Sequence, residues 1–222
     1  MVSRETAVPP PPLPGWLEPH RAALTDFAGL LADVGVERGL IGPREVPRLW
    51  ERHLLNCAVV VEPGDGFMPT GIRVADVGSG AGLPGLVWAI VRPDLQIVLI
   101  EPLLRRSVFL AEAAAELGVS DRVEVRRDRA EDLSRTSDWH AADVVTARAV
   151  APLERLIGWT VPLLAPGGRL VALKGSSAAA ELAEGHAAAS AAGLVDLEVR
   201  EFGAGVVDPP TTVITGVRRA AQ

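Results

Sequence analysis

Two rhythms of apolar residues divide the chain near residue 70. Upstream, Leu17, Leu24, Phe27, Leu31 and Val34 recur at helical spacing, with Gly35 as the expected stop. A second helix is predicted from about Pro43 to Val60, its stripe formed by Val46, Leu49, Trp50, His53 and Cys57. Residues 1–14, with Pro9 to Pro12 and Pro14, read as a disordered, Pro-rich arm. Residues 15–66 then form a helical extension that ends in the turn-rich Pro63-Gly64-Asp65-Gly66.

From 67 to 222 the texture is that of one α/β domain. Strand-like runs fall at 72–77, 96–100, 122–126, 142–147 and 169–173. Between them Leu83, Leu86, Val87 and Ile90 follow helical spacing, as do Leu110, Ala113, Ala114 and Leu117, and then Leu153, Leu156, Ile157 and Leu164. Alternation of this kind predicts right-handed βαβ units and a mostly parallel sheet. The runs 195–201 and 211–217 have no helix between them and should close the sheet as an antiparallel hairpin near one edge. A dinucleotide dehydrogenase would continue to a sixth parallel strand and carry a substrate domain, for which this chain has no room. The fold class expected is therefore the Rossmann-like methyltransferase sheet.

The chemistry concentrates in Ile72–Gly85, IRVADVGSGAGLPG, a strand followed by Gly78, Gly80 and Gly82. Glycines there let a ligand approach the backbone, and a helix beginning at Leu83 would aim free N–H groups into the cleft. That suits a pyrophosphate or a methionyl carboxylate. Asp76 argues for the second, because a carboxylate repels pyrophosphate and can accept hydrogen bonds from a cationic amino group. Glu101, ending the next strand, is placed to bind ribose hydroxyls under either reading.

The bulk numbers add little. Net charge is −6, from 22 basic and 28 acidic residues, a mild argument against nucleic acid that uneven placement of the arginines can override. Lys174 is the only lysine. The single cysteine, Cys57, excludes an internal disulfide and a thiolate-rich metal site. No signal-like or membrane-length apolar run is present, so a cytoplasmic protein without membrane or metal partners is expected.

In order along the chain, RHLLNC (52–57), VADVGSGAGLPG (74–85), RAED (129–132), ARAVAP (147–152) and LKG (173–175) resemble the small-subunit (16S) ribosomal RNA guanine-N7 methyltransferases, also called glucose-inhibited division protein B. The resemblance covers roughly 44–217 and implies S-adenosylmethionine as cofactor and a guanine N7 in the decoding-region loop of the small subunit as target. Matched residue by residue, it implies cofactor contacts at Gly78, Leu83, Ala130, Glu131 and Arg148. Asn56-Cys57 stands where the family often has Asp-Ser, and Ala81 where it often has proline.

Candidate substrate residues are Arg52 and His53 on the second helix, Arg105 and Arg106 after Glu101, and Arg126 and Arg127 in a basic run around the third strand. Arg148 and Lys174 end strands on the rim where open α/β sheets place ligands. Asp208-Pro209-Pro210 superficially resembles the acid-Pro-Pro loop of exocyclic-amine methyltransferases, but it sits in the terminal hairpin. No catalytic base is expected. The rival readings are a small-molecule or protein methyltransferase on the same fold, an NAD-binding oxidoreductase or sensor, and a non-catalytic cofactor-binding regulator.

Overall fold

A computed structural model describes residues 9–220 of the chain. Its centre is a seven-stranded sheet in the order β3-β2-β1-β4-β5-β7-β6. The first five strands are Arg73–Val77 (β1), Gln96–Ile100 (β2), Val123–Arg126 (β3), Ala142–Arg148 (β4) and Leu164–Lys174 (β5). All five run parallel. The closing strands are Leu194–Phe202 (β6) and Thr211–Arg218 (β7). β7 lies antiparallel between β5 and β6, so the expected hairpin is present but its second strand is the inner one.

Helices cover both faces, which is why the inner strands are mostly apolar at successive positions. α1 is Arg21–Leu30, α2 Asn56–Ala58, α3 Gly85–Val91 and α4 Leu104–Glu116. α5 is Ala130–Leu133, α6 Leu153–Thr160 and α7 Ala178–Ala191. The amino-terminal helices share one core with α3, α4 and one sheet face, through Phe27, Trp50, Trp88, Ile97 and Leu110. α5, α6 and α7 pack on the other face.

Polar contacts reinforce this docking. Trp88 Nε1 donates to the Cys57 carbonyl at 2.9 Å and Thr211 Oγ1 to the Asn56 carbonyl at 2.8 Å. Buried Arg92 pairs with Asp94 and donates to the Val61, Met68 and Pro69 carbonyls, satisfying its guanidinium inside the fold.

Three expectations change. The second helix is a chain of short turns: Pro43–Arg48 is 3-10, Leu49–Leu55 widens to π-helical spacing, and α2 follows. The wider turn shifts the stripe, so Leu54 and Leu55 join Leu49 and Trp50 in the core. The helix after the glycines begins at Gly85 rather than Leu83. The expected disordered arm falls partly at 1–8, outside the described residues, and Leu13, in its remainder, packs against the core.

Candidate functional site: a cleft at the carboxyl rim of the sheet

The carboxyl ends of β1, β2 and β4 open onto a cavity of about 580 Å³. Its walls are the loop Gly78–Ala81 with Leu83, then Glu101, Ala130 and Glu131, and finally Arg148. His53 contributes from the amino-terminal helices and Trp159 from α6. Of the expected cofactor residues, this gathers Gly78, Gly80, Leu83, Glu101, Ala130, Glu131 and Arg148 around one space.

The glycines do different jobs. Gly78 has φ +71°, and a Cβ there would stand 2.9 Å from the Val150 side chain. Gly80 has φ +55° and meets nothing closer than the Gly78 carbonyl at 3.7 Å, so its open side is the cavity. Gly82 does not line the cavity; a Cβ there would strike Leu86 at 2.5 Å. Its role is packing of the turn onto α3, which corrects its place among the cofactor contacts.

Most of the free N–H groups expected of this loop are spent. Gly78 and Ser79 donate to the Ile100 carbonyl, Gly82 and Leu83 to Ser79, Gly80 to Glu101 Oε2 at 3.1 Å and Gly85 to Asp76 Oδ2 at 3.0 Å. A pyrophosphate seated here would find most of these donors already engaged. The loop's own hydrogen bonds thus weigh against a dinucleotide.

Glu101 is 2% exposed. Its carboxylate accepts the Gly80 N–H through one oxygen and the Leu103 N–H through the other, at 3.0 Å. A carboxylate offers about four acceptor sites, so about two remain for hydroxyl donors from the cavity.

Asp76 is displaced from its expected role. It is fully buried beneath the loop and does not line the cavity. Oδ2 caps the start of α3 through Gly85 N–H, while Oδ1 has no partner. Burial pushes its pKa up to about 7, against the pull of the Gly85 N–H. A strand-end acid two residues before the glycines is here a helix-capping group.

Arg148 ends β4 and reaches to the amino-terminal helices. Nη1 donates to Cys57 Sγ at 3.1 Å; Nη2 donates to the Arg52 carbonyl at 3.1 Å and meets His53 Nδ1 at 2.6 Å. On the far side of the imidazole, Nε2 lies 3.0 Å from Glu45 Oε2. Burial, and then the Arg148 charge, lower the His53 pKa, with Glu45 opposing them. Cys57 is fully buried and its thiol is pushed up by burial, which removes it as a nucleophile.

The basic candidates separate. Arg126 is half-buried among Glu124 (3.5 Å), Asp128 (3.2 Å) and Asp138 (3.0 Å), so its charge is met within the protein. Lys174, with its side chain 7% exposed, bonds to Glu181 at 2.6 Å and to the Ala151 carbonyl at 2.8 Å; it ties β5 to α7 and is no open rim cation. Arg105 and Arg127 are exposed, Arg106 stands 3.8 Å from Glu101 at the cavity mouth, and exposed Arg52 reaches Glu45 at 3.4 Å. Among the described residues no set of three or more His, Cys, Asp or Glu groups converges as a metal site would require.

Sequence reasoning does not reach Glu45 or Trp159. Glu45 looks like an ordinary surface acid eight residues before His53, and only the tight turns of 43–55 bring the two together. Trp159, two turns into an amphipathic helix, reads as core. In the fold it is half-buried on the cavity wall, with the Arg155 guanidinium 5.0 Å from its ring centre.

This sheet order and rim cleft define an α/β fold of the S-adenosylmethionine-dependent methyltransferase kind. Solved structures with the same architecture include the apo form of such a methyltransferase (TM-score 0.60, 20% identity, 87% of this chain and 62% of that one). Another is an O-methyltransferase family protein from Burkholderia thailandensis (TM-score 0.57, 18% identity, 93% and 62%). This chain spans about six-tenths of their length, and at such identity they speak to fold alone. More particularly, the model of the family "rRNA small subunit methyltransferase G" matches residues 20–208, and the chain belongs to that family. Relatives that carry the name ribosomal RNA small subunit methyltransferase G include one from Salinispora tropica, 58% identical over 85% of this chain and 77% of the relative. One from Mycolicibacterium gilvum is 50% identical over 98% and 94%. Among the described residues, no helix is long and apolar enough to cross a membrane.

Proposed function

We propose that this chain transfers a methyl group from S-adenosylmethionine to N7 of a guanine in the decoding-region loop of small-subunit ribosomal RNA. The observation that carries the reading is the rim cleft, whose contacts suit a methionyl nucleoside better than a dinucleotide. Gly80 leaves a backbone-lined space that a Cβ would fill, and Glu101 keeps acceptor capacity for ribose hydroxyls. Ala130 and Glu131 border the adenine end, and Trp159 supplies a ring for the purine to stack on.

Bound there, S-adenosylmethionine supplies a methyl carbon made electrophilic by a sulfonium. N7 of guanine offers an in-plane lone pair and bears no proton, so the reaction leaves nothing at that atom to abstract. The residues agree with this. Asp76 is sealed beneath the loop, and both nitrogens of His53 are engaged by Arg148 and Glu45. Transfer then depends on alignment, which can supply about 7–11 kcal/mol. Arg52, Arg105 and Arg106 are the cations beside the mouth for RNA phosphates, while Arg126 and Lys174 act within the fold.

The defining experiment offers labelled S-adenosylmethionine with small subunits lacking the modification, with protein-free 16S RNA, and with a pool of small metabolites. Label on RNA, at a guanine that becomes cleavable after borohydride reduction and aniline, is the expected result. Label on small molecules alone would overturn it. Trp159→Leu should weaken S-adenosylmethionine binding by about 1–2 kcal/mol, the loss of one base–aromatic stack, read by calorimetry.

A further inference from the structure

The bonds that hold Arg148 raise a question of protonation. His53 Nδ1 lies 2.6 Å from Arg148 Nη2, and a guanidinium has no acceptor to offer. Nδ1 must therefore be a bare lone pair, with the ring proton on Nε2. Glu45 Oε2, 3.0 Å from Nε2, is the group that enforces this, since a carboxylate only accepts. In the other tautomer an N–H would face the guanidinium and a lone pair would face the carboxylate. A doubly protonated ring would set a second cation against Arg148.

We propose that Glu45 is a positioning residue for methyl transfer: acting through His53, it fixes where the Arg148 guanidinium stands in the cavity wall. The inference rests on the methyltransferase reading above. The two ends of the relay belong to different parts of the chain. Glu45 and His53 lie on the amino-terminal helical segment, whereas Arg148 ends β4 and leads into Ala149 and Val150, which also line the cavity. Arg148 makes its two remaining contacts, with Cys57 Sγ and the Arg52 carbonyl, on the same segment. The relay thus fixes how the helical extension meets the rim of the cleft.

The charged groups around the imidazole are Glu45 and Arg52 from the helical segment and Arg148 from β4, with Arg48 acting on Glu45 and Asp76 on Arg148 from beneath the loop. Protonation of His53 would break the contact with Arg148. An acid limb in the rate would then arise without any catalytic base, and it would lie below the ordinary imidazole range because burial and Arg148 both disfavour the cation.

The test uses single-turnover methylation from pH 5 to 9, with wild type, Glu45→Ala, Glu45→Gln and His53→Asn, and the imidazole nitrogen signals of the cofactor-free proteins. Glu45→Ala should slow transfer at pH 8 by about tenfold to 100-fold, the scale of a small misplacement. Glu45→Gln, which keeps an acceptor oxygen, should lose less, and its acid limb should move to lower pH because the carboxylate that favoured the imidazolium is gone. In His53→Asn the slower residual reaction should show no acid limb. The nitrogen spectra should give the Nε2–H tautomer in wild type and a mixture in Glu45→Ala. A wild-type ring protonated on Nδ1, an unchanged rate and profile in Glu45→Ala, or an acid limb that survives in His53→Asn would each overturn the proposal. A wild type inactive on every RNA but with the expected tautomer would instead remove the functional reading and leave the relay standing.

Discussion

Gly85→Ala should destabilise the protein by about 3–5 kcal/mol, a large share of the 5–15 kcal/mol typical of a domain. The backbone at Gly85 is ordinary helix, so the cost is one of space. A Cβ there would collide with Leu99 Cδ2 and stand 2.7 Å from Asp76 Oδ2 and 3.2 Å from Asp76 Cβ. Leu99 and Asp76 are both fully buried and neither can swing aside into solvent. Relief requires α3 to lift from β1 and β2, which breaks the Gly85 N–H bond to Asp76 and leaves a buried carboxylate with neither oxygen paired. Overpacking of this kind costs about 1–3 kcal/mol, and above pH 7, where Asp76 is ionised, loss of a charged hydrogen bond adds about 1.5–3 kcal/mol. Urea denaturation followed by circular dichroism measures the sum. Gly80→Ala provides the contrast, because its new methyl points into the cavity and meets only the Gly78 carbonyl at 3.7 Å. That variant should lose about 1 kcal/mol from its left-handed backbone and yet fail to bind S-adenosylmethionine. Equal stability loss in the two variants would dissolve the distinction between packing and ligand-facing glycines.

That distinction was not legible in the sequence, which shows three equivalent glycines in a row of alternating positions. What was legible was the sheet. Apart from Asp76 and Thr146, Val74–Val77, Ile97–Ile100 and Val144–Ala147 are apolar at successive positions, the pattern of a parallel strand covered on two sides. The lone hairpin at the end fixed the fold class, since β6 and β7 are separated by too few residues for a crossover helix. α7 was much less visible: AAAELAEGHAAASA is so rich in alanine that no stripe stands out, and its burial comes from fit against α6 and β6. The residues around the cleft are legible because strand ends and glycine turns mark a rim whatever the ligand. The partners of those residues are not, because pairing is a tertiary fact. Lys174 and Arg126 look like free cations until Glu181 and Asp138 are folded against them. Asp76 looked like a ligand group because sequence gives position along a strand and says nothing of the layer above it.

Asp76→Asn should change how stability depends on pH, by about 4 kcal/mol between acid and alkaline limits. The folded pKa is pushed up to about 7 from 3.8 by burial. Between those values the native chain holds a proton that the unfolded chain has released, so stability contributed at this site is present below about pH 4 and is lost as pH rises to 7. Above 7 the loss is complete and constant. Asparagine never ionises and still offers an oxygen to the Gly85 N–H, so the variant lacks this slope. The carboxylates whose pKa is lowered by their partners, Glu45, Asp94 and Glu181 among them, give slopes of the opposite sign. They are common to both proteins and cancel in the difference. Urea denaturation of the two proteins at half-unit steps from pH 4.5 to 8.5 should therefore give curves that diverge, with the variant gaining relative stability at each step up to about pH 7 and running parallel beyond it. Curves parallel throughout would mean that Asp76 is charged at every pH in the native state, and that water or a shift of the Gly78–Pro84 turn reaches the oxygen left without a partner in this fold.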